Sequence, residues 1–140
     1  MSIKFTNWNN GIKPFIESET GCKPFSGAGI NIRSQKKTAL LRSVDNTAYY
    51  DDNLDDINKI EYTLYGQVGD QNEDEPKFNK PLLDIQKTKH IYVYRVIPKI
   101  KEKYIWYGKY KITGKKTKIH KDKNNNDREI IILILEKIKE

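Results

Sequence analysis

The ten residues Glu129–Ile138, EIIILILEKI, constrain this fold more than any other stretch. An isoleucine-rich run of this length reads as a central strand; a helix is the alternative, and β-branching favours the strand. Two more runs read the same way. His90–Pro98, HIYVYRVIP, alternates and is rich in β-branched and aromatic residues. Tyr104–Ile112, YIWYGKYKI, does likewise, with Gly108 interrupting it as at a bulge or a close backbone approach. Ile30–Arg33 alternates like a short half-buried strand, and Ile60–Tyr65 is a further strand. Thr38–Val44 is strand by β-content, though too short to exclude a helix. Helix is expected over Phe78–Gln86, burying Phe78, Leu82, Leu83 and Ile85, with one helical turn near Ile16–Thr20. Residues 1–25 otherwise read as an irregular, extended entry punctuated by Lys13-Pro14 and Lys23-Pro24. Ser26–Ile30, Asp51–Asn58, Asp70–Pro76 and Asn124–Asp127 read as loops or turns. Many strands, little helix and short polar connections give an α+β, mainly β class: a curved sheet or small β-barrel with one or two short helices.

The 140 residues fit one domain with a real core. No apolar run approaches the ~20 residues of a membrane span, and the amino terminus lacks the apolar stretch of a secretory signal. Cys22 is the only cysteine, so no internal disulfide forms and a reducing setting is expected, cytoplasmic or else nuclear. The net charge of +7 is segregated. Residues 1–48 hold 7 basic and 3 acidic side chains, residues 49–84 hold 3 and 10, and residues 85–140 hold 16 and 6. A basic body around an acidic insert suits a polyanion whose phosphates meet the body; the competing reading is lysines that simply face water.

The acidic insert also carries the most chemistry. Tyr49–Gln71 gathers Tyr49, Tyr50, Tyr62 and Tyr65, the carboxylates of Asp51, Asp52, Asp55 and Asp56, and a Gly66-x-x-Gly69-Asp70-Gln71 turn. A pocket for a flat heterocycle needs aromatic faces, a polar edge partner and close backbone approach, and these residue types supply all three. The plainer reading is a tyrosine-rich strand after a solvated acidic loop.

Several segments, in the right order, resemble the SRA (SET- and RING-associated, or YDG) domain, a PUA-like fold. Tyr62-Thr63-x-x-Gly66-x-x-Gly69-Asp70-Gln71 is similar to that family's Tyr-Thr-Gly-rich run ending in Asp-Gln. Tyr50-Asp51-Asp52-Asn53-Leu54-Asp55, twelve residues earlier, resembles its Tyr-x-Asp-Asp-Val-Asp. Gly29-Ile30-x-x-Arg33, Asn79-Lys80-Pro81-Leu82, Val93-Tyr94-Arg95-Val96 and Trp106–Ile112 match further family segments, the last with Tyr107 where the name-giving Tyr-Asp-Gly has aspartate. The resemblance covers about residues 24–138.

It implies a non-catalytic domain that binds double-stranded DNA carrying 5-methyl- or 5-hydroxymethylcytosine by flipping the base into an aromatic pocket. Such a domain can be the specificity element of a modification-dependent restriction system, with a nuclease or motor module as partner, no membrane and no cofactor. Carried over by position, Tyr50 and Tyr62 are the stacking rings and Thr63 lines the 5-substituent. The acid's position holds Asn53, with Asp52 directly before it, so either Asp52 acts through a one-residue shift or an amide meets the base. Tyr65, Gly66, Gly69, Asp70 and Gln71 form the rim. The family's basic finger has no clear counterpart, since residues 70–80 are acidic. Phosphate contacts are expected from Arg33, Lys36, Lys37, Lys115, Lys116, Lys118 and Lys121, the last four in a lysine-rich hairpin loop. A PUA-like RNA-binding module is the alternative function, and a small metal-dependent nuclease a weaker one. For a nuclease, Asp70 and Glu75-x-Lys77 have the right types at too short a spacing. His90, His120 and Cys22 are too scattered for zinc, so no metal is expected.

Overall fold

The computed structural model describes residues 2–24, 29–84 and 88–139. Among these, seven strands form one mixed sheet: β1 (Ile3–Phe5), β2 (Ile30–Arg33), β3 (Thr38–Val44), β4 (Lys59–Thr63), β5 (His90–Val96), β6 (Tyr104–Lys121) and β7 (Asp127–Lys137). Their order is β2-β3-β5-β6-β7-β4, with β1 added beside the start of β6. β3 and β5 run parallel and the other pairs antiparallel. No backbone ladder joins β2 to β4 among the described residues, so the sheet curves without closing. The mainly β class with two short helices, α1 (Lys13–Thr20) and α2 (Asn79–Leu83), is as expected.

The period-two pattern explains why β3 is a strand. Ala39 and Leu41 face one core and Leu40 the other, so both sides of the run are buried. The larger core fills the inside of the curve with Ile60, Tyr62, Leu64, Val93, Tyr107, Tyr110, Leu133 and Leu135. The smaller one packs Ile12, Ile16 and Cys22 against Leu40, Tyr94 and Trp106 on the outer face. At Gly108 the register steps between Val93 and Tyr94. Its φ of +102° favours glycine, whereas the Lys137 Nζ 2.6 Å from where a Cβ would stand is the end of a flexible side chain that could move aside.

Three expectations need correction. Residues 1–25 are not an extended entry: β1 is followed by a wide turn over Trp8–Ile12 and by α1. Pro14 lies in the first turn of α1, where its missing N–H has no helical partner to lose. The lysine-rich segment is strand rather than loop, because β6 continues to Lys121 in register with β7. Its lysines take exposed positions opposite a partner strand that supplies the apolar side chains. The helix at Phe78–Gln86 is shorter than its pattern, ending at Leu83; Ile85 and Gln86 lie outside the described residues, as do Ser26, Gly27 and Ala28 of the glycine loop.

Leu64 N still donates to Ile131 O at 2.9 Å; beyond it the chain leaves β7, and the side chain of Gln71 takes the place of a strand partner. Gln71 Oε1 accepts from Ile131 N at 2.8 Å, while Nε2 donates to Leu64 O at 2.6 Å and Gly66 O at 3.1 Å. Its backbone N donates to Glu129 O, and Asp70 Oδ1 accepts from Glu129 N. The Asp-Gln pair therefore staples the Gly66–Gln71 turn to β7. Gln71→Ala leaves Ile131 N and Leu64 O without their side-chain partner, while Gly66 O keeps Arg128, and should cost about 2–3 kcal/mol. A urea melt checks this by a lower midpoint at unchanged slope; an unchanged midpoint means that solvent replaces the amide.

Candidate functional site

The open seam of the sheet, where β4 curls toward β2 and β3, is bridged by side chains. Tyr62 Oη donates a hydrogen shared between Gly29 O at 3.0 Å and Arg42 O at 3.1 Å. Asp52 Oδ2 accepts from Ser43 Oγ at 2.7 Å, and Oδ1 from Thr63 N at 2.7 Å, linking β3 to β4. Beside these bridges lies a cavity of about 310 Å³. Its walls include the rings of Tyr49, Tyr50, Tyr62, Tyr65 and Phe78, together with Thr47, Asp52, Thr63 and Gln67. Tyr49 and Tyr50 meet edge to face at 4.8 Å, and Tyr65 lies 4.6 Å from Phe78. The cavity thus has flat apolar walls and one carboxylate, and suits a planar group with a donor on its edge.

Burial pushes the Asp52 carboxyl above its ordinary range, and the Ser43 and Thr63 donors pull it partway back. Burial also raises the Tyr50 and Tyr62 phenols, Tyr62 the more strongly, so both stay neutral hydrogen-bonding groups.

The loop that carries Asp52 is held from several sides. Arg95 pairs with Asp45 through Nε at 2.7 Å and Nη2 at 2.8 Å. Tyr107 Oη donates to Leu54 O at 2.9 Å and accepts from Arg95 Nη1, and Tyr110 Oη donates to Ile57 O. The tyrosine that departs from the Tyr-Asp-Gly pattern thus anchors the acidic loop. Buried Arg128 donates to Tyr49 O, Gly66 O and Gly69 O, fastening the Tyr49 segment to the glycine turn.

Of the sequence-derived pocket residues, Tyr50, Asp52, Tyr62 and Thr63 line this cavity, and so does Tyr65 from the rim. Asn53 does not. It is exposed, its backbone bridges Glu61 and its Oδ1 accepts from Asp55 N. Asp52 is thus the side chain presented to the cavity. Gly66, Gly69, Asp70 and Gln71 stand behind the wall in the stapled turn. The phosphate candidates are spread out. Arg33 donates to Lys23 O, and Lys36 and Lys37 are exposed around the turn after β2. On β6, Lys115 pairs with Glu73 at 2.5 Å, Lys116 with Glu61 at 2.9 Å and Lys118 with Asp51 at 2.5 Å, while Lys121 pairs with Asp127 at 2.8 Å. Among the described residues no group of three or more His, Cys, Asp or Glu is placed to hold a metal ion. No helix there is long and apolar enough to cross a membrane.

A family model described as ScoMcrA-like, SRA domain, matches residues 19–140. The chain belongs to the ScoMcrA-like SRA family. No curated protein matches this SRA chain by sequence. Solved structures share its fold at low identity. The sulfur binding domain and SRA domain of ScoMcrA, complexed with phosphorothioated DNA, align at TM-score 0.65 and 15% identity, over 100% of this chain and 40% of that one. MspJI restriction endonuclease in complex with a 27-mer oligonucleotide gives TM-score 0.65 and 15% identity, over 96% and 41%. The modification-dependent TagI restriction endonuclease gives 0.60 and 19%, over 99% and 50%. This SRA chain thus spans half or less of the length of each of these proteins.

Sequence reasoning grouped Tyr49 with the aromatics but gave it no role, and it missed Ser43, Arg42 and Arg128 as residues that build or border the site. Two carried a signal: Arg42 is the one charge inside the apolar run TALLRSV, and Arg128 opens the isoleucine run of β7.

The raised Asp52 pKa has a defined consequence for stability. The folded state holds that proton more tightly than the unfolded chain. Its contribution therefore falls as pH rises from the ordinary carboxylate value through the folded pKa, and is constant above it. Asp52→Asn lacks this limb. Urea midpoints of wild type and variant from acid to neutral pH should show wild type losing ground as pH rises. Parallel curves mean that the carboxyl is not shifted.

Proposed function

We propose that this SRA chain is a non-catalytic DNA-reading domain that recognises a 5-modified cytosine flipped into the seam cavity. One observation carries the reading: a cavity walled by five aromatic rings holds a half-buried carboxylate that is fixed by two donors and still has lone pairs to offer. The base stacks against Tyr50 and Tyr62, Asp52 accepts from the exocyclic amine, and Thr63 lines the space at the 5-position. Thr63 Oγ1 already accepts from Asp51 N at 2.9 Å, which fixes its methyl group. The 140 residues act as one reading unit, and a nuclease or motor module of a restriction system is the partner. Family membership and the shared fold with restriction endonucleases support that assignment.

A panel of duplexes bearing cytosine, 5-methylcytosine or 5-hydroxymethylcytosine, with a matched RNA, tests the reading. Wild type should prefer a modified duplex. Asp52→Ala and Tyr50→Ala should each remove ~1–3 kcal/mol from the modified site and little from unmodified DNA. Tyr62→Ala is a poor probe, because Tyr62 is core as well as wall. Equal binding to all duplexes overturns the flipped-base reading, and a preference for RNA favours a PUA-like RNA module.

The β6 lysines grip the phosphate backbone in this reading. Exposed ion pairs are worth ~0–1 kcal/mol each, so the acidic partners yield readily to phosphates. Replacing Lys115, Lys116 and Lys118 by Ala should weaken modified and unmodified DNA alike, lowering the salt slope by up to about 0.9 for each phosphate no longer neutralised. Neutralising Asp51, Glu61 and Glu73 with Asn or Gln should strengthen both. Anisotropy titrations over a salt series read both effects, and unchanged slopes return the lysines to a solvated role.

A further inference from the structure

The turn Gly66-Gln67-Val68-Gly69 stands at the rim of the seam cavity, which Gln67 lines, and hydrogen bonds brace it from two sides. On the cavity side, Gly66 N donates to Tyr50 Oη at 3.4 Å, Gly66 O accepts from Gln71 and Arg128, and Gly69 O accepts from Arg128. On the other side is the tip of the β6–β7 hairpin. Lys123 N donates to Gln67 O at 2.8 Å, and Asp122 Oδ2 accepts from Gly69 N at 3.1 Å. Asp122 is itself fixed, its Oδ1 accepting from Asn124 N and Asn126 N. Turn and hairpin tip are therefore one rigid piece made from two distant segments of chain.

In the middle of this braced turn, Val68 is 58% exposed. Five large hydrophobic side chains are exposed among the described residues, and two of them, Tyr65 and Val68, fall within four residues at this rim. The turn uses the positive φ of Gly66 and Gly69, but the exposed position between them accepts any polar side chain. An apolar side chain held out in water by a rigid support suits an apolar surface that arrives from outside. Charge indicates which surface. Exposed Lys123 reaches Gln67 Oε1 at 3.4 Å, and the lysines of β6 lead up to the same hairpin tip. A polyanion with an apolar interior fits that setting. When a base leaves a duplex, it uncovers the apolar faces of the base pairs on either side, and an aliphatic side chain can cover them again.

We propose that Val68 is a wedge that enters the duplex as the modified base leaves it, lying between the two neighbouring base pairs. Gln67 and Val68 are consecutive, about 3.8 Å apart at Cα, so the cavity wall and the wedge are held in one fixed relation. The wedge rests on the flipped-base reading above.

The test compares wild type, Val68→Ala and Val68→Met by anisotropy. The probes are a duplex with one paired 5-methylcytosine, the same duplex unmodified, and the same sequence with the 5-methylcytosine in a short unpaired loop, where no stack has to be refilled. Val68→Ala should weaken binding to the modified duplex roughly fivefold to tenfold, the worth of two buried carbons. It should leave the loop substrate and the thermal midpoint unchanged, and Val68→Met should bind the modified duplex as wild type does. Equal losses on duplex and loop, or no loss on either, overturn the wedge. If wild type prefers the modified duplex and Val68→Ala does as well as wild type, the base reading stands and the wedge falls. If wild type binds both duplexes equally and Val68→Ala weakens both but not the loop, the base reading falls and the wedge stands.

Discussion

The site depends on a sheet that curves but does not close. β3 lies near one end of the strand order and β4 at the other, and among the described residues side chains, not a backbone ladder, span the gap between them. A backbone ladder across that seam would place strands ~4.8 Å apart and leave no room for a ligand. The bridges from Tyr62 to Gly29 and Arg42, and from Asp52 to Ser43 and Thr63, hold the two sides together while leaving space beside them. Cohesion and cavity come from the same few atoms. A carboxylate taken partly out of water would ordinarily be a liability, but the two donors on Asp52 keep it usable as an acceptor.

The charge segregation has a structural meaning that the totals conceal. The acidic insert lies along the exposed lysines of β6, so in the free chain each sign partly neutralises the other. Such pairs are weak enough to exchange partners in water. Arg128 and the Gln71 staple have a different character. They are buried, bonded to backbone, and fix the glycine turn in one position.

Most of the fold was legible because strand periodicity is local. The TALLRSV, HIYVYRV and EIIILILEK runs are β3, β5 and most of β7. The long arm of β6 was not, because apart from Ile119 its lysines alternate with nothing apolar and its pairing depends on β7. Pro14 misled for a similar reason: proline ends extended segments and begins helices alike, and only the packing of Ile12 and Ile16 decides which. In the site, the aromatic set and Asp52 could be read from residue type. The choice of Asp52 over Asn53 could not, since it turns on which of two adjacent side chains faces the seam. Ser43 and Arg128 act through hydrogen bonds across 9 and 79 residues of chain, which no local pattern announces.

The double duty of Tyr62 limits how a protein like this can diverge. Its ring is cavity wall and core at once, and its hydroxyl holds the seam, so almost any replacement is felt by the whole fold. Drift toward a new ligand is therefore channelled elsewhere, to Thr47, Tyr49 and Gln67, which border the same cavity from loops and stand outside the strand ladders. If the seam cavity takes the ligand as proposed, a lineage can retune what it recognises at those three positions while the seam stays frozen, and relatives with different preferences should differ there first.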